Sequence, residues 1–242
     1  MAPVAELTDR ISGKIQGSTV AIPPYLSNRY WWAYMKPWAV WIFDRQWVVN
    51  VLLYGHYAKL RDAAFAEFAS TLSGRTLQIS CCYGDFTPRL TAQIEKARGR
   101  IDVVDILPVQ LENVQRKIGN APCAHFHRMD AEALKFPDSS FENVLVFFLL
   151  HEVPHESRER AIAEAFRVLK PGGTVVVIDF DEPSLWHPLR YLWLPFLGML
   201  EPFARSLWRG ELRASLESPT RNWKRDSYFG GLFQRLVGRT VI

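Results

Sequence analysis

From Thr76 onward, short apolar runs take turns with amphipathic stretches. That rhythm predicts strands at 76–80, 101–106, 124–129, 143–149 and 174–180, with helices at 88–97, 108–118 and 158–169. Brief apolar runs flanked by turn residues suit strands buried on both faces, while apolar positions spaced a helical turn apart suit helices with one buried stripe. Strand and helix alternating this way predict a mostly parallel, doubly wound α/β sheet. Lys170-Pro171-Gly172-Gly173 is a sharp stop between the last of these helices and the last of these strands.

Upstream the pattern changes. A helix is expected over 48–72, with Tyr57, Leu60, Phe65 and Phe68 as its apolar positions. The stretch 30–47, YWWAYMKPWAVWIFDRQW, packs Trp31, Trp32, Tyr34, Trp38, Trp41 and Trp47 around Lys36 and Arg45, and it reads either as a helix packed on the core or as an interfacial anchor or lid. Residues 1–27 read as a loose arm with Gly13, Gly17 and Pro23-Pro24. Beyond Asp181 lies an aromatic, leucine-rich segment interrupted by Pro188, Pro195 and Pro202, which suits a cap helix or a surface-lying element. The stretch 228–237 is expected to supply the last strands. The expected organisation is an N-terminal arm and helical cap at 1–72 and an α/β domain at 73–242, with an apolar insertion at 181–226.

A chain of 242 residues with 48% hydrophobic and 22% charged residues has the composition of a globular domain with one site. A net charge of +4, spread along the chain, makes no electrostatic case for nucleic acid. Nine tryptophans and fifteen phenylalanines instead favour peripheral contact with an anionic membrane face, and no apolar run is long enough to cross a bilayer. Three cysteines, two of them adjacent, make no disulfide framework, so a cytoplasmic location on the inner membrane, or the matrix side in a eukaryote, is the expectation.

The most informative stretch is Thr76-Leu77-Gln78-Ile79-Ser80-Cys81-Cys82-Tyr83-Gly84, followed by a helix beginning near Thr87-Pro88. Strand-to-helix turns of this outline hold nucleotide cofactors because glycines admit the ligand to the backbone and the helix N-terminus offers free N–H groups. Here Ser80 and Cys82 stand where further glycines are usual, and Gln78 stands where the strand usually carries an acid. Ligands of open α/β sheets bind beyond the carboxyl ends of the strands. Asp105 with Ile106 is therefore placed to accept ribose hydroxyls, and Asp130-Ala131-Glu132 to meet an adenine ring. His151-Glu152 and Asp179 end the next two strands in the same cleft.

His151-Glu152-Val153-Pro154-His155 matches the HExxH zinc-protease pattern, but that pattern needs a helix and Pro154 opposes one. For a hard divalent cation the sequence-near candidates are Asp179, Asp181, Glu182, His187 and His151, any one of which alone is better read as part of a solvated acidic turn. Asp44, Tyr54 and His56 form a second tier that the N-terminal helices could fold over the cleft. Cys81 and Cys82 have no partner base nearby, and small buried hydrophobes are the plainer reading.

With these residues in view, the order of parts from about 72 to 180 resembles the class I S-adenosylmethionine-dependent methyltransferases, and within them the ubiquinone and menaquinone biosynthesis C-methyltransferases. Asp105, Asp130-Ala131-Glu132, Phe136-Pro137-Asp138, Phe141 and EAFRVLKPGG at 164–173 carry the likeness. The turn Gln78–Gly84, followed by Asp85-Phe86, and Tyr228-Phe229-Gly230-Gly231 look like the rhodoquinone biosynthesis (RquA) family. That resemblance implies ubiquinone as substrate, S-adenosylmethionine as amino donor and a requirement for manganese(II). Under it, Gln78, Ser80, Cys81, Cys82, Tyr83, Gly84, Asp105, Ile106, Asp130, Ala131 and Glu132 are expected to hold the cofactor. His151, Asp179 and Tyr83 are the expected catalytic residues, and Asp179, Asp181 and His151 the expected metal ligands. The competing expectations are methyl transfer to a quinone or other lipid, and an inactive cofactor-binding partner in a quinone biosynthesis complex.

Overall fold

A computed structural model describes residues 15–16, 20–192, 203, 207 and 221–240. The expected arm at 1–27 and the apolar insertion at 181–226 lie largely outside them. Strand β1 (Ile15–Gln16) is a short edge piece, and β2 (Arg75–Ile79), β3 (Arg100–Asp105), β4 (Ala124–Arg128), β5 (Phe141–Phe147) and β6 (Leu169–Phe180) follow the rhythm of apolar runs. A hairpin of β7 (Arg221–Tyr228) and β8 (Phe233–Thr240) completes the sheet. Among the described residues the order is β1-β4-β3-β2-β5-β6-β8-β7. β2 through β6 pair in parallel, while β8 runs antiparallel to both β6 and β7. This is the Rossmann-like sheet of the class I S-adenosylmethionine-dependent methyltransferase fold.

Alternation along each strand divides the core between two faces. Val103, Leu145, Val176 and Ile178 pack with α4 (Tyr57–Ala66), α5 (Phe86–Lys96) and α6 (Pro108–Ile118). Val104, Val144, Val146, Val175 and Val177 pack with α7 (His155–Arg167). β6 begins earlier than its apolar run because Leu169 pairs with Phe141 across a register shift before regular pairing resumes at Asn143 and Thr174.

The N-terminal region departs most from expectation. In place of one helix over 30–47 there is a π-helix, α1 (Leu26–Met35), and then α2 (Pro37–Phe43). The break falls at Lys36, which is extended (ψ 125°) because a residue before proline is pushed out of the helical region. The helix expected over 48–72 is likewise two: α3 (Gln46–Leu52) and α4, parted by left-handed Tyr54 (φ 50°) and Gly55 (φ 79°). These helices cover the carboxyl end of β2 and leave Trp38, Trp41 and Trp47 mostly exposed. The core-helix reading of the tryptophan stretch therefore does not hold for those rings.

A buried ion cluster fastens the first turns of the parallel strands. Asp102, with no exposed side-chain surface, accepts from Arg75 Nε at 2.8 Å, Arg100 Nε at 3.1 Å and His127 Nε2 at 2.7 Å. Burial opposes the charged form, but those hydrogen bonds outweigh it and hold the carboxyl well below its ordinary value. A carboxylate with a depressed folded-state pKa stabilises above its unfolded value near pH 4 and loses that contribution as pH falls through the folded value. Asp102→Asn should therefore cost about 3 kcal/mol at neutral pH, a gap that closes as denaturant melts are carried from pH 5 toward pH 2. An unchanged gap across that acid range would contradict the role given to this carboxylate.

Candidate active site

β2 pairs with β3 on one side and β5 on the other, so the crevice beyond their carboxyl ends is where the chain direction of the crossovers reverses. A cavity of about 270 Å³ opens there. Its floor is the turn Ser80–Tyr83, and its walls come from the ends of β3, β4, β5 and β6. Tyr25, Leu26, Tyr34, Val49, Leu52 and Leu53 of the N-terminal helical region close it from above.

Two left-handed residues other than glycine line this cavity, Ser80 at φ 72° and Phe148 at φ 54°. Such backbone costs about 1 kcal/mol or more per residue and persists where the surroundings impose it. Ser80 is held by its N–H donating to the Val104 carbonyl at 2.8 Å, and Phe148 by donation to the Ile178 carbonyl at 2.7 Å. The turn thus keeps the conformation glycine would give while presenting a hydroxymethyl group. Gly84 (φ 77°) remains glycine because a Cβ would meet Gln46 Oε1 and the Tyr57 hydroxyl at 3.0 Å.

Gln78 does not reach the cavity. Its wholly buried amide sits beneath the turn, with Nε2 donating to the Ser80 carbonyl at 2.9 Å and to Thr87 Oγ1 at 3.0 Å. Gln78 Oε1 is buried without a protein partner. The side chain therefore props the turn against the first turn of α5. Gln78→Asp removes that donor and turns a carboxylate toward a carbonyl oxygen, so it should destabilise the fold by about 2 to 4 kcal/mol, read as a lower Tm. An unchanged Tm would show that the prop is unimportant. Cys81 and Cys82 line the cavity, and burial pushes both thiols well up, which suits small apolar wall residues and not nucleophiles.

Asp105, Ile106, Asp130, Ala131 and Glu132 all line the same cavity. The Asp105 carboxylate accepts from the N–H groups of Cys81 and Leu107, both at 2.8 Å. Burial raises its pKa against that pull. Each oxygen keeps a lone pair for a ligand hydroxyl. Asp130 Oδ1 accepts from the Glu132 N–H at 2.9 Å, and the Glu132 carboxylate is drawn to Arg160 at 2.6 Å. Tyr83 also lines the cavity, but its hydroxyl donates to the Ala33 carbonyl at 3.0 Å and accepts from Gln110 Nε2 at 2.8 Å, which makes it a clamp to α1.

His151 is where reactivity gathers. Its Nδ1 lies 2.9 Å from Asp179 Oδ1. Asp179 is fully buried and takes further N–H groups from Leu150 and Phe180, both at 2.7 Å, as only an acceptor can. The proton therefore sits on His151 Nδ1, which leaves Nε2 to accept. Nε2 is 3.6 Å from Glu152 Oε1, and that carboxylate also receives the Tyr34 hydroxyl. The series Asp179, His151, Glu152, Tyr34 can take a proton at the cavity wall and stabilise the imidazolium that results. The cavity residues that sequence reasoning missed include Tyr25, Tyr34, Gln110, Phe147, Phe148 and Phe180; only tertiary folding brings the first two over the strand ends.

The manganese expectation finds no donor set. Asp179 is filled by backbone N–H groups and His151, and Asp181 is paired with Arg225. Glu182 pairs with Arg190 at 2.9 Å, and the His187 ring packs on Phe229 at 4.7 Å between centroids. Among the described residues no three side chains of metal-ligating type gather. In the second tier, Asp44 accepts from the Gly84 N–H at 3.0 Å and from Lys117, while Tyr54 and His56 pack on Phe229 at 5.7 and 4.2 Å.

The Methyltransferase domain family matches residues 76–173. The ubiquinone/menaquinone biosynthesis C-methyltransferase UbiE of Stutzerimonas stutzeri is 32% identical over 163 residues, covering 63% of this chain and 62% of that protein. The chain thus spans a little under two thirds of the curated relatives it matches. Human N-acetylserotonin methyltransferase, solved with S-adenosylmethionine, superposes with a TM-score of 0.60 at 14% identity over 98% of this chain and 66% of its own. The [4+2]-cyclase SpnF superposes with a TM-score of 0.54 at 20% identity over 76% of this chain and 81% of its own. Both structural likenesses are to the fold.

The donor set fits S-adenosylmethionine. Asp105 offers two acceptor positions for vicinal hydroxyls, Asp130 an acceptor for an exocyclic amine, and Ile106, Leu107, Met129 and Ala131 apolar faces for a flat ring.

Proposed function

We propose that this protein, built on the class I methyltransferase fold, binds S-adenosylmethionine in this cavity and acts on the ring of a polyprenylated quinone, replacing a methoxy group of ubiquinone by an amino group to give rhodoquinone. The observation that carries the reading is the cavity floor: Ser80, Cys81, Cys82 and Tyr83 supply no carboxylate, and Gln78, at the usual acid position, is neutral and turned away beneath it. An amine lying over such a floor lacks the partner that would keep it protonated. S-adenosylmethionine, when bound, supplies a methionyl amine as nucleophile and a sulfonium methyl group as electrophile.

The residues then do the following. As the nitrogen bonds to the ring carbon and loses a proton, His151 Nε2 accepts it, with Asp179 and Glu152 stabilising the charged ring. The same proton goes to the departing methoxide when the carbon–oxygen bond breaks, so methanol leaves and the nitrogen then joins the ring to the methionyl carbon. Elimination frees it: a Cβ proton passes to His151 Nε2 as the Cα–N bond breaks, its electron pair going to nitrogen, which takes that proton back. The aminoquinone departs and an unsaturated sulfonium acid is left. Phe147, Phe148, Phe180 and Leu53 give the quinone an apolar bed that excludes water. No step is assigned to manganese.

A second reading, methyl transfer to a quinone ring, is favoured by the identity to the UbiE protein. That the fold also carries a cyclase supports keeping chemistry and fold apart. One assay separates the two: purified protein, a short-tailed ubiquinone and S-adenosylmethionine labelled with 15N at the amine and 13C at the methyl group, with and without manganese(II). Nitrogen label in an aminoquinone, read by mass spectrometry, supports amination. Carbon label in the product overturns it in favour of methylation.

A further inference from the structure

We infer that α2 and α3 form a lipid-docking face that seats the protein on an anionic phospholipid surface and opens its cavity toward the bilayer. The outward positions of these helices are apolar and exposed: Trp38 59%, Trp41 61%, Ile42 39%, Trp47 70%, Val51 65% and Leu52 52%. Trp41 and Ile42 of α2 and Trp47 and Asn50 of α3 line one surface depression with Arg45 and Gln46 between them.

Charge selects the partner. Between Lys36 and Leu53 the formal charges are Lys36, Asp44 and Arg45. Asp44 turns inward, bound by the Gly84 N–H and Lys117, while Arg45 beside it is exposed between the two helices. The Arg45 guanidinium lies over the Trp41 ring at 3.9 Å, where indole and cation together suit the boundary between acyl chains and anionic headgroups. Among the exposed residues of α2 and α3 the polar side chains are Gln46 and Asn50, and none is an acid.

Continuity with the site gives the face its use. The inner positions of α3, Val49 and Leu53, line the cavity, and Leu52 is both exposed outside and part of the cavity wall. One helix thus separates lipid from the reaction chamber. The chain passes from α3 through Tyr54 and His56, both packed on Phe229, and His187 packs on the same ring beside Trp186, which is 94% exposed. Leu185, just before Trp186, is exposed as well, at 65%. Entry of a polyprenyl tail beside Leu52 rests on the quinone reading above; the docking itself rests on exposure and charge.

The test is cosedimentation of the full chain with phosphatidylcholine vesicles, with and without phosphatidylglycerol. Wild type should bind, more tightly to the anionic vesicles. The Trp41→Ser/Trp47→Ser double variant should bind about tenfold more weakly or worse, at an unchanged Tm, since both rings lie outside the core. Arg45→Glu should lose the preference for phosphatidylglycerol. Turnover of a short-tailed quinone in solution should persist in the double variant while turnover of a long-tailed quinone in vesicles falls. Unchanged vesicle binding in the double variant would overturn the proposal, as would a wild-type dimer in sedimentation, dispersed by the same substitutions, with no affinity for vesicles. If no quinone turns over but the binding differences appear, the quinone reading fails and the docking face stands.

Discussion

His151→Asn should lower turnover by about two to four orders of magnitude while leaving S-adenosylmethionine affinity within about a factor of two. Asparagine places an amide N–H where Nδ1 stood, so the buried Asp179 carboxylate keeps a partner and the wall keeps its shape. What disappears is a base at Nε2. Because a purely structural histidine would also give a less active variant, the decisive readout is the pH profile: the acidic limb that an imidazole base imposes should vanish in the variant. A variant with the wild-type profile and only a scaled-down rate would overturn the assignment. Glu152 and Tyr34 should matter less, since they act on Nε2 from 3.6 Å or through one another.

Asp105→Ala carries the second large effect, on binding. The carboxylate holds two backbone N–H groups and, in the proposed complex, two ligand hydroxyls. Charge-assisted hydrogen bonds of this kind contribute about 1.5 to 3 kcal/mol each, so affinity for S-adenosylmethionine should fall by about 100-fold to 1,000-fold or more. Two buried N–H groups also lose their acceptor, at a cost of about 2 to 4 kcal/mol to the apo fold. Asp105→Asn keeps one acceptor oxygen and serves as the milder variant. Calorimetric titration gives the affinity, and the rise of Tm on adding ligand gives an independent measure by mass action. Full ligand-induced stabilisation in Asp105→Asn and Asp105→Ala would remove Asp105 from the cofactor site.

The parallel strands were legible because buried strands are nearly uniform apolar runs: Val144 to Phe147 and Val175 to Ile178 have few other readings. Asp105 and Asp130 were legible for a topological reason, since each follows such a run and the ends of parallel strands share one edge. The N-terminal helices were not. The spacing suits one helix over each of 30–47 and 48–72, and the constraint a proline places on Lys36 divides the first while the left-handed backbone at Tyr54 and Gly55 divides the second. Side-chain direction was the other failure. Gln78 alternates under the turn, and Asp181 is taken by Arg225, a residue 44 positions away whose approach depends on the β7–β8 hairpin. A metal set read from neighbouring acids ignores such distant claims on them. The contribution of Tyr34 was hidden among aromatic neighbours of the same sequence context, of which Trp32, Trp38, Trp41 and Trp47 are exposed.

The polar ties between covering helices and cavity floor also set how the protein opens. Asp44 and Gln46 hold the N–H groups of Gly84 and Asp85 at 3.0 Å, and Gln110 reaches both the Tyr34 carbonyl at 3.1 Å and the Tyr83 hydroxyl at 2.8 Å. The backbone that anchors the cover thus follows directly on the floor a cofactor would rest on. By reciprocity, a ligand that binds more tightly to the latched form shifts the latching equilibrium by that same difference in free energy. Added S-adenosylmethionine should therefore protect the Arg45 peptide, in the exposed link between α2 and α3, from trypsin, and should slow amide exchange at Ala39 and Val40. Occupancy of the chamber would be reported at its outer rim, so that an empty molecule is a loosely hinged one and a loaded molecule presents a firm platform.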